Sequence, residues 1–323
     1  MMRPFVFLVP AYAAAVAAKN AAYEQGWAEA KRLRWPVVSV GNLSVGGSGK
    51  TPVVIRLAQL LKADGIAADV LSRGYGRSGA GVERVDASGD AARYGDEPVL
   101  IARAAGVPVY VGASRYDAGL LAERDPAGAG IHLLDDGFQH RKLARDLDIV
   151  VLHASDFVEG LLPAGRLREP LSALKRAQVV VLREEDRGLE AELRRRKIAA
   201  QVWVQSRKLA VESDMGRVVA FCGIARPEEF FAGLKAQGAD VAATRAIGDH
   251  QKYSAAEIAR LARMLKEHGA DCFVTTEKDA ARLTDDQRRR LEETGPVHVA
   301  RLEIALENEA AVVRELGHLL VRK

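Results

Sequence analysis

The chain has 323 residues, 48% of them apolar and 28% charged, with a formal net charge of +4. That composition describes a folded globular protein with one large core or two smaller ones. It holds no uninterrupted apolar run of about eighteen residues, which argues against a membrane-spanning helix, and its mildly basic balance is compatible with nucleic acid, an anionic membrane or a phosphorylated substrate without choosing among them.

Residues 5–18 are apolar and follow Arg3, the outline of a secretory signal. Pro10 would interrupt the apolar stretch, and the chain runs on through Lys19 and a mixed-charge segment, so an uncleaved helix is expected. Two roles are open to it. It could pack against the folded body, or it could dip an apolar face into a bilayer surface with help from Arg3, Lys19, Lys31, Arg32 and Arg34.

From there, short β-branched runs at residues 37–40, 68–71, 107–111, 131–134, 149–152 and 179–182 alternate with helical patterns. Continuous apolar strands separated by helices imply a mostly parallel sheet covered on both faces. Residues 79–89, rich in Gly, Ala and charge, read as a mobile loop. After a charged stretch at 183–208, a second series follows at 218–221, 241–244, 273–276 and 297–300, with an amphipathic helix at 254–266. The expectation is an α/β protein in two units, residues 1–210 and a smaller α/β lobe at 211–323, with a substrate cleft between them. Cys222 and Cys272 each sit inside an apolar run with no Cys or His at metal-ligand spacing, so both read as reduced core thiols in a reducing cytoplasm.

The strongest chemical signal is Val37-Val38-Ser39-Val40-Gly41-Asn42-Leu43-Ser44-Val45-Gly46-Gly47-Ser48-Gly49-Lys50-Thr51, followed by a helical pattern at 52–62. A buried strand, a glycine-rich turn and a helix in that order form the context of a phosphate-binding loop. Its backbone N–H groups would converge on phosphate oxygens, Lys50 would reach the β- and γ-phosphates of ATP, and Thr51 would offer a hydroxyl to Mg2+. The strict pattern has glycine where this chain has Ser44. A P-loop NTPase-like sheet with ATP and Mg2+ as cofactors follows.

Ile131-His132-Leu133-Leu134 ends in Asp135 and Asp136, carboxylates that could hold or orient magnesium, or could be turn acids before Gly137. By pattern alone Asp96 and Glu97, in Gly95-Asp96-Glu97-Pro98, read as ordinary loop charges. The same holds for Arg166-Leu167-Arg168-Glu169-Pro170 and for Asp249-His250, which precede a helix capped by Ser254.

Six segments in order across nearly the whole chain, however, resemble the tetraacyldisaccharide 4'-kinases of lipid A biosynthesis. They are residues 41–52, Ser72-Arg73-Gly74-Tyr75-Gly76, Gly95-Asp96-Glu97-Pro98, Asp135-Asp136-Gly137-Phe138-Gln139-His140, Leu167-Arg168-Glu169-Pro170 and Thr275-Thr276-Glu277-Lys278-Asp279. That family commonly has a small hydroxyl residue where Ser44 stands. The resemblance implies transfer of the ATP γ-phosphate to the 4'-hydroxyl of an acylated glucosamine disaccharide 1-phosphate, at the cytoplasmic face of a Gram-negative inner membrane. It implies Asp96 as the base that deprotonates the sugar hydroxyl, with His250 as its partner and Lys50 at the phosphates. Ser44, Val45, Gly46, Gly47, Ser48, Gly49, Lys50 and Thr51 would cradle ATP, with Arg168 and Glu169 near the phosphates, and Thr51, Glu97, Asp135 and Asp136 would serve magnesium.

Competing classes fare less well. A GTPase shares the loop, but Thr276-Glu277-Lys278-Asp279 has its lysine one place late for guanine reading, and a kinase of soluble metabolites has no use for the apolar N-terminal helix. The basic residues lack the aromatic interleaving of a nucleic-acid module, and a monomer is expected.

Overall fold

The computed structural model describes residues 5–47, 49–124, 130–212, 214–248 and 251–321. In chain order the first part comprises α1 (Val9–Glu24), β1 (Val37–Gly41), α2 (Lys50–Ala63), β2 (Ala68–Ser72), β3 (Glu83–Arg84), α3 (Ala91–Tyr94), α4 (Asp96–Ala105), β4 (Val109–Val111), α5 (Arg115–Ala122), β5 (Ile131–Asp135), β6 (Leu147–Val151), β7 (Val179–Arg183), α6 (Leu189–Arg195) and β8 (Gln201–Ala210). The remainder comprises β9 (Arg217–Cys222), α7 (Pro227–Ala236), β10 (Asp240–Ala246), α8 (Ala255–Glu267), β11 (Cys272–Thr276), α9 (Glu277–Arg282), α10 (Asp285–Glu292), β12 (Val297–Leu306) and α11 (Glu309–Val321).

The strands form one sheet in the order β10-β9-β11-β12-β8-β7-β6-β1-β5-β2-β4-β3. Its pairs are parallel except β8 with β12 and β3 with β4. The α/β class with a mostly parallel sheet therefore holds, and its cause is visible strand by strand. β1, β2, β5, β6 and β7 are buried along their full length, the pattern that continuous Val, Ile and Leu runs impose when helices cover both faces.

Under one face of the first half, Leu57 and Leu61 of α2 and Val99 and Ile101 of α4 pack on Val38, Val70 and Leu133. Under the other, Leu33 and Ala118 meet Leu71 and Leu134. Beyond β8 the second half has its own layers. Ile258 and Leu261 of α8 pack on Val219 and Phe273, and Phe230 and Leu234 of α7 lie on the opposite face against Val218 and Val274. The chain then returns: Ile304 and Leu306 of β12 and Val312 and Leu316 of α11 complete the core beneath α2. β8 and β12 are thus the two strands through which the halves connect.

Two expectations need correction, and one stretch read only as charged gains structure. The stretch 79–89 contains β3, which pairs with β4 and is held by Arg77 and Arg93 on Glu83. Within the charged stretch 183–208 lie α6 and most of β8. The absence of an unbroken apolar run also misleads, because Val6–Glu24 forms a 19-residue helical segment long and apolar enough to cross a membrane by length and composition. Pro10 does not interrupt α1, since it lies in the first turn, where a missing N–H costs nothing. Both cysteines are buried and free, and Ser254 caps α8 by accepting from the Glu257 N–H at 3.2 Å.

Candidate active site

β1 lies between β5 and β6 at the centre of the parallel region, and loops leaving the C-terminal ends of such strands form the usual ligand crevice. The loop after β1 runs into α2, whose first residues are Lys50 and Thr51. Val45 exchanges backbone contact with the 166–168 segment, its N–H donating to the Arg166 carbonyl at 2.8 Å, while Ser44 bridges to Leu167. Gly46 has φ 96, and a Cβ there would come within 2.4 Å of Arg166 Nη2. Glycine is thus favoured by conformation, while the Arg166 side-chain end could swing away. Ser48 lies outside the described residues.

Lys50 is not idle. Its Nζ donates to Asn42 Oδ1 at 3.0 Å and pairs with Asp136 Oδ1 at 3.4 Å. Arg168 grips the same carboxylate with both ends of its fork, at 3.0 and 2.8 Å, and also donates to Asn42. Burial alone would raise the Asp136 carboxyl, but Lys50 and Arg168 outweigh it and hold the group well below the ordinary carboxylate range. Asp136 has φ 51, a left-handed conformation that Asp tolerates better than most residues.

Asp135, one residue earlier, behaves in the opposite way. It is buried; one oxygen accepts from Ser72 Oγ at 3.2 Å, and the other has no hydrogen-bond partner among the described residues. Burial, together with the charges of Glu97 and Asp136, pushes its carboxyl up to about 7. Glu97 comes from the first turn of α4, beside Asp96. That turn is seated by glycines: a Cβ on Gly95 would lie 3.1 Å from Gly74 Cα and 3.3 Å from the Tyr75 carbonyl. The Ser72-Arg73-Gly74-Tyr75-Gly76 and Gly95-Asp96-Glu97-Pro98 segments therefore fit together by close backbone approach. Across the cleft, Arg282 and Lys278 of α9 pair with Asp96 at 3.3 Å and Glu97 at 3.6 Å.

A family model described as Tetraacyldisaccharide-1-P 4'-kinase matches residues 1–320. The chain belongs to that family. The tetraacyldisaccharide 4'-kinase of Koribacter versatilis is 44% identical over 322 residues, 97% of each chain. That of Geobacter metallireducens is 42% identical over 320 residues, 93% of each. The crystal structure of the "apo" form of LpxK from Aquifex aeolicus in complex with ATP superposes with a TM-score of 0.79 at 32% identity, covering 99% of this chain and 100% of that one. A tetraacyldisaccharide-1-P 4'-kinase is an ATP-dependent phosphotransferase, so the phosphate loop here is a kinase's.

Within this 4'-kinase fold the residues singled out from sequence separate into groups. Lys50, Asn42, Asp136 and Arg168 form one connected network, Asp135 and Glu97 act on it electrostatically, and Asp96 meets Arg282. Glu169 is tied to the N-terminal helix, its oxygens accepting from Asn20 at 2.7 Å and Arg176 at 3.1 Å. His250 lies outside the described residues. Its described neighbour Gln251 offers its carbonyl to Arg282, the residue that meets Asp96.

Some contributors were missed. Arg115 opens α5 just after β4 and is almost fully buried, with Nε unpartnered among the described residues. Burial and the nearby Arg73 lower its guanidinium to about 10, partly offset by Asp136 and Asp135. Its signal was positional, a Ser114-Arg115 pair at the C-terminal end of a parallel strand. His140 is lowered to about 4 by burial and by Arg115, Arg145, Lys142 and Lys19, so several basic groups crowd it. On the other side of the loop a cavity of about 300 Å3 is lined by Ser44, His153, Ser155, Arg166 and Arg226.

Proposed function

We propose that this chain transfers the γ-phosphate of ATP to the 4'-hydroxyl of a tetraacylated glucosamine disaccharide 1-phosphate, at the cytoplasmic face of the inner membrane of a Gram-negative bacterium. The observation that carries this reading is the convergence, at one strand edge, of Lys50 and Arg168 on Asp136, with Glu97 of α4 close enough to act on Asp135 and Asp96 next to it in the same turn. Phosphoryl transfer needs little covalent chemistry from protein; it needs placed charge and a proton acceptor.

In this scheme the loop backbone holds the triphosphate, and Lys50 and Arg168 offer positive charge to the transferring group. Asp96 accepts the proton of the 4'-hydroxyl as its oxygen forms a bond to the γ-phosphorus and the bond to ADP breaks. His250 is proposed as the partner of Asp96, and Glu169 fixes the segment that presents Arg168.

The acidic pair fits a magnesium ion. Asp135 has a buried, unpartnered oxygen and a carboxyl strained by neighbouring acids, conditions a cation relieves. The described residues hold no ready cluster of three His, Cys, Asp or Glu ligands. Mg2+ is commonly held by carboxylates together with phosphate oxygens and water. Thr51, Asp135, Asp136 and Glu97 are the residues proposed to hold it, and when bound it would neutralise charge on the β- and γ-phosphates. The two lobes at 1–210 and 211–323 are proposed to close this cleft through α9, and α1 to meet the bilayer that carries the lipid.

Transfer of labelled γ-phosphate to a tetraacyldisaccharide 1-phosphate in mixed micelles, with and without magnesium, tests the reading. A magnesium-dependent 4'-phosphorylated product is expected. ATP binding with no such product would overturn the choice of acceptor.

A further inference from the structure

The loop that binds phosphate is roofed from the second half of the chain. A Cβ on Gly47 would lie 3.1 Å from Ala225 Cβ, just before α7, and close by, guanidinium groups from three different elements gather around one carboxylate. Arg183, at the end of β7, is bound bidentately to Glu229 of α7 at 3.2 and 2.8 Å. Arg226 donates to Glu229 at 3.0 Å and to Ser155 at 3.2 Å. Arg207, on β8, reaches Glu229 only at 3.6 Å and forms no hydrogen bond among the described residues. A guanidinium carries five N–H donors, so the Arg207 fork is held in place but unspent. It also reaches the loop, its Nη2 lying 4.0 Å from where a Cβ on Gly49 would stand, and its side chain is only 22% exposed.

Three guanidinium groups here face two carboxylates, Glu229 and, 3.5 Å from Arg183, Glu185, so one positive charge is left in excess, and such an excess near a phosphate loop is stable when an anion completes it. Burial and the neighbouring Arg183 lower the Arg207 guanidinium to about 10, which still leaves it charged at neutral pH. We propose that Arg207 donates to a phosphate oxygen of bound ATP, a contact supplied from the β8–β12 junction rather than from the phosphate loop. The kinase would then hold its nucleotide between the phosphate loop and the strand that pairs with the returning β12. This inference rests on the ATP-kinase reading above.

The test compares Arg207→Ala and Arg207→Lys with the wild type and with Lys50→Ala, reading the affinity for a non-hydrolysable ATP analogue and the steady-state KM for ATP and for lipid. A charge-assisted hydrogen bond contributes about 1.5–3 kcal/mol, so Arg207→Ala should weaken the analogue tenfold or more and raise the KM for ATP, with the KM for lipid unchanged. Arg207→Lys, which keeps the charge without the fork, should fall between. If Lys50→Ala weakens the analogue and Arg207→Ala does not, with melting temperatures alike, the Arg207 contact is wrong and the phosphate loop stands. Unchanged analogue binding in Lys50→Ala would instead remove the phosphate-loop reading itself.

Discussion

Arg282 Nε lies 3.3 Å from Asp96 Oδ2, so a guanidinium of α9 faces the carboxylate that opens α4. Arg282 is itself anchored, donating to the Gly223 carbonyl at 2.9 Å and to Asp279 at 3.1 Å. Asp279 is fully buried and accepts from the Gly223 N–H and Tyr253 Oη, both at 2.9 Å, and from Thr276 Oγ1 at 2.6 Å. The Thr275-Thr276-Glu277-Lys278-Asp279 segment thus builds a rigid mount that aims Arg282 across the cleft.

If Asp96 is the base, Asp96→Asn should lower kcat about a hundredfold or more while leaving affinity for an ATP analogue intact. Arg282→Ala should cost kcat about tenfold by releasing the carboxylate from its orientation. In an Asp96→Asn background the same change should cost little, and a double-mutant cycle on kcat measures the difference. Additive losses would show that Arg282 acts elsewhere.

Lys50 carries a separate prediction. Its ammonium is shared between Asn42 and Asp136, positions from which it can move to phosphate oxygens. Lys50→Ala should reduce turnover by at least about a hundredfold, the scale on which a lost charge-stabilising donor is felt. Asn42→Ala should cost less, because Asp136 still steers the lysine. Single-turnover transfer from labelled ATP separates the two, and near-normal turnover without Lys50 would sink the assignment.

How much of this was legible follows from burial. β1, β5 and β7 could be found because full burial demands unbroken apolar runs, and the phosphate loop because its chemistry is local. β8 was hidden because it is buried only in the middle: Trp203, Val204 and Gln205 are buried while Ser206 and Lys208 are exposed, and its charged members resemble a linker. Arg207 therefore carried no signal until the fold brought it to Gly49. Asp135 and Asp136 are adjacent and identical in sequence, yet one is left with an unpartnered oxygen and the other is gripped by Lys50 and Arg168. Only the three-dimensional surroundings separate them. Glu169 illustrates the reverse case, a motif residue whose partner Asn20 comes from a helix 149 positions away.

His132 predicts a pH dependence of stability. Fully buried in β5, it meets Asp69 at 2.8 and 3.0 Å through Nδ1 and Glu123 at 3.5 Å through Nε2. Burial alone would lower the imidazole, but Asp69 and Glu123 outweigh it and the net direction is up. A group raised on folding binds its proton more tightly in the native state. Its contribution is therefore complete below the unfolded value of about 6.5 and is lost as pH rises through the higher folded value. Urea unfolding should show the wild type losing stability as pH rises above about 6.5, by an amount that His132→Asn does not lose. Parallel profiles for the two proteins would place the pH dependence on other groups.

The N-terminal helix predicts a link between the bilayer and the site. None of its residues is buried, but its polar side chains reach the catalytic loops. Tyr12 Oη donates to the Arg168 carbonyl at 2.9 Å, Lys19 Nζ to the Gln139 carbonyl at 2.9 Å, and Asn20 to Glu169. The rest of its surface is apolar and open, and Phe5 and Phe7, which lead into it, are 55% and 78% exposed. Water is a poor solvent for two large rings on one segment, whereas a bilayer interface is a good one. Each phenylalanine transferred there is worth about 1.5–3 kcal/mol, so Phe5→Ser with Phe7→Ser should weaken co-sedimentation with anionic lipid vesicles about a hundredfold or more. Tyr12→Phe should leave sedimentation alone and lower kcat instead, because it frees the carbonyl of the residue that grips Asp136. Equal sedimentation of the wild type and the double phenylalanine variant would return α1 to a purely structural role, held to the body by those polar contacts alone.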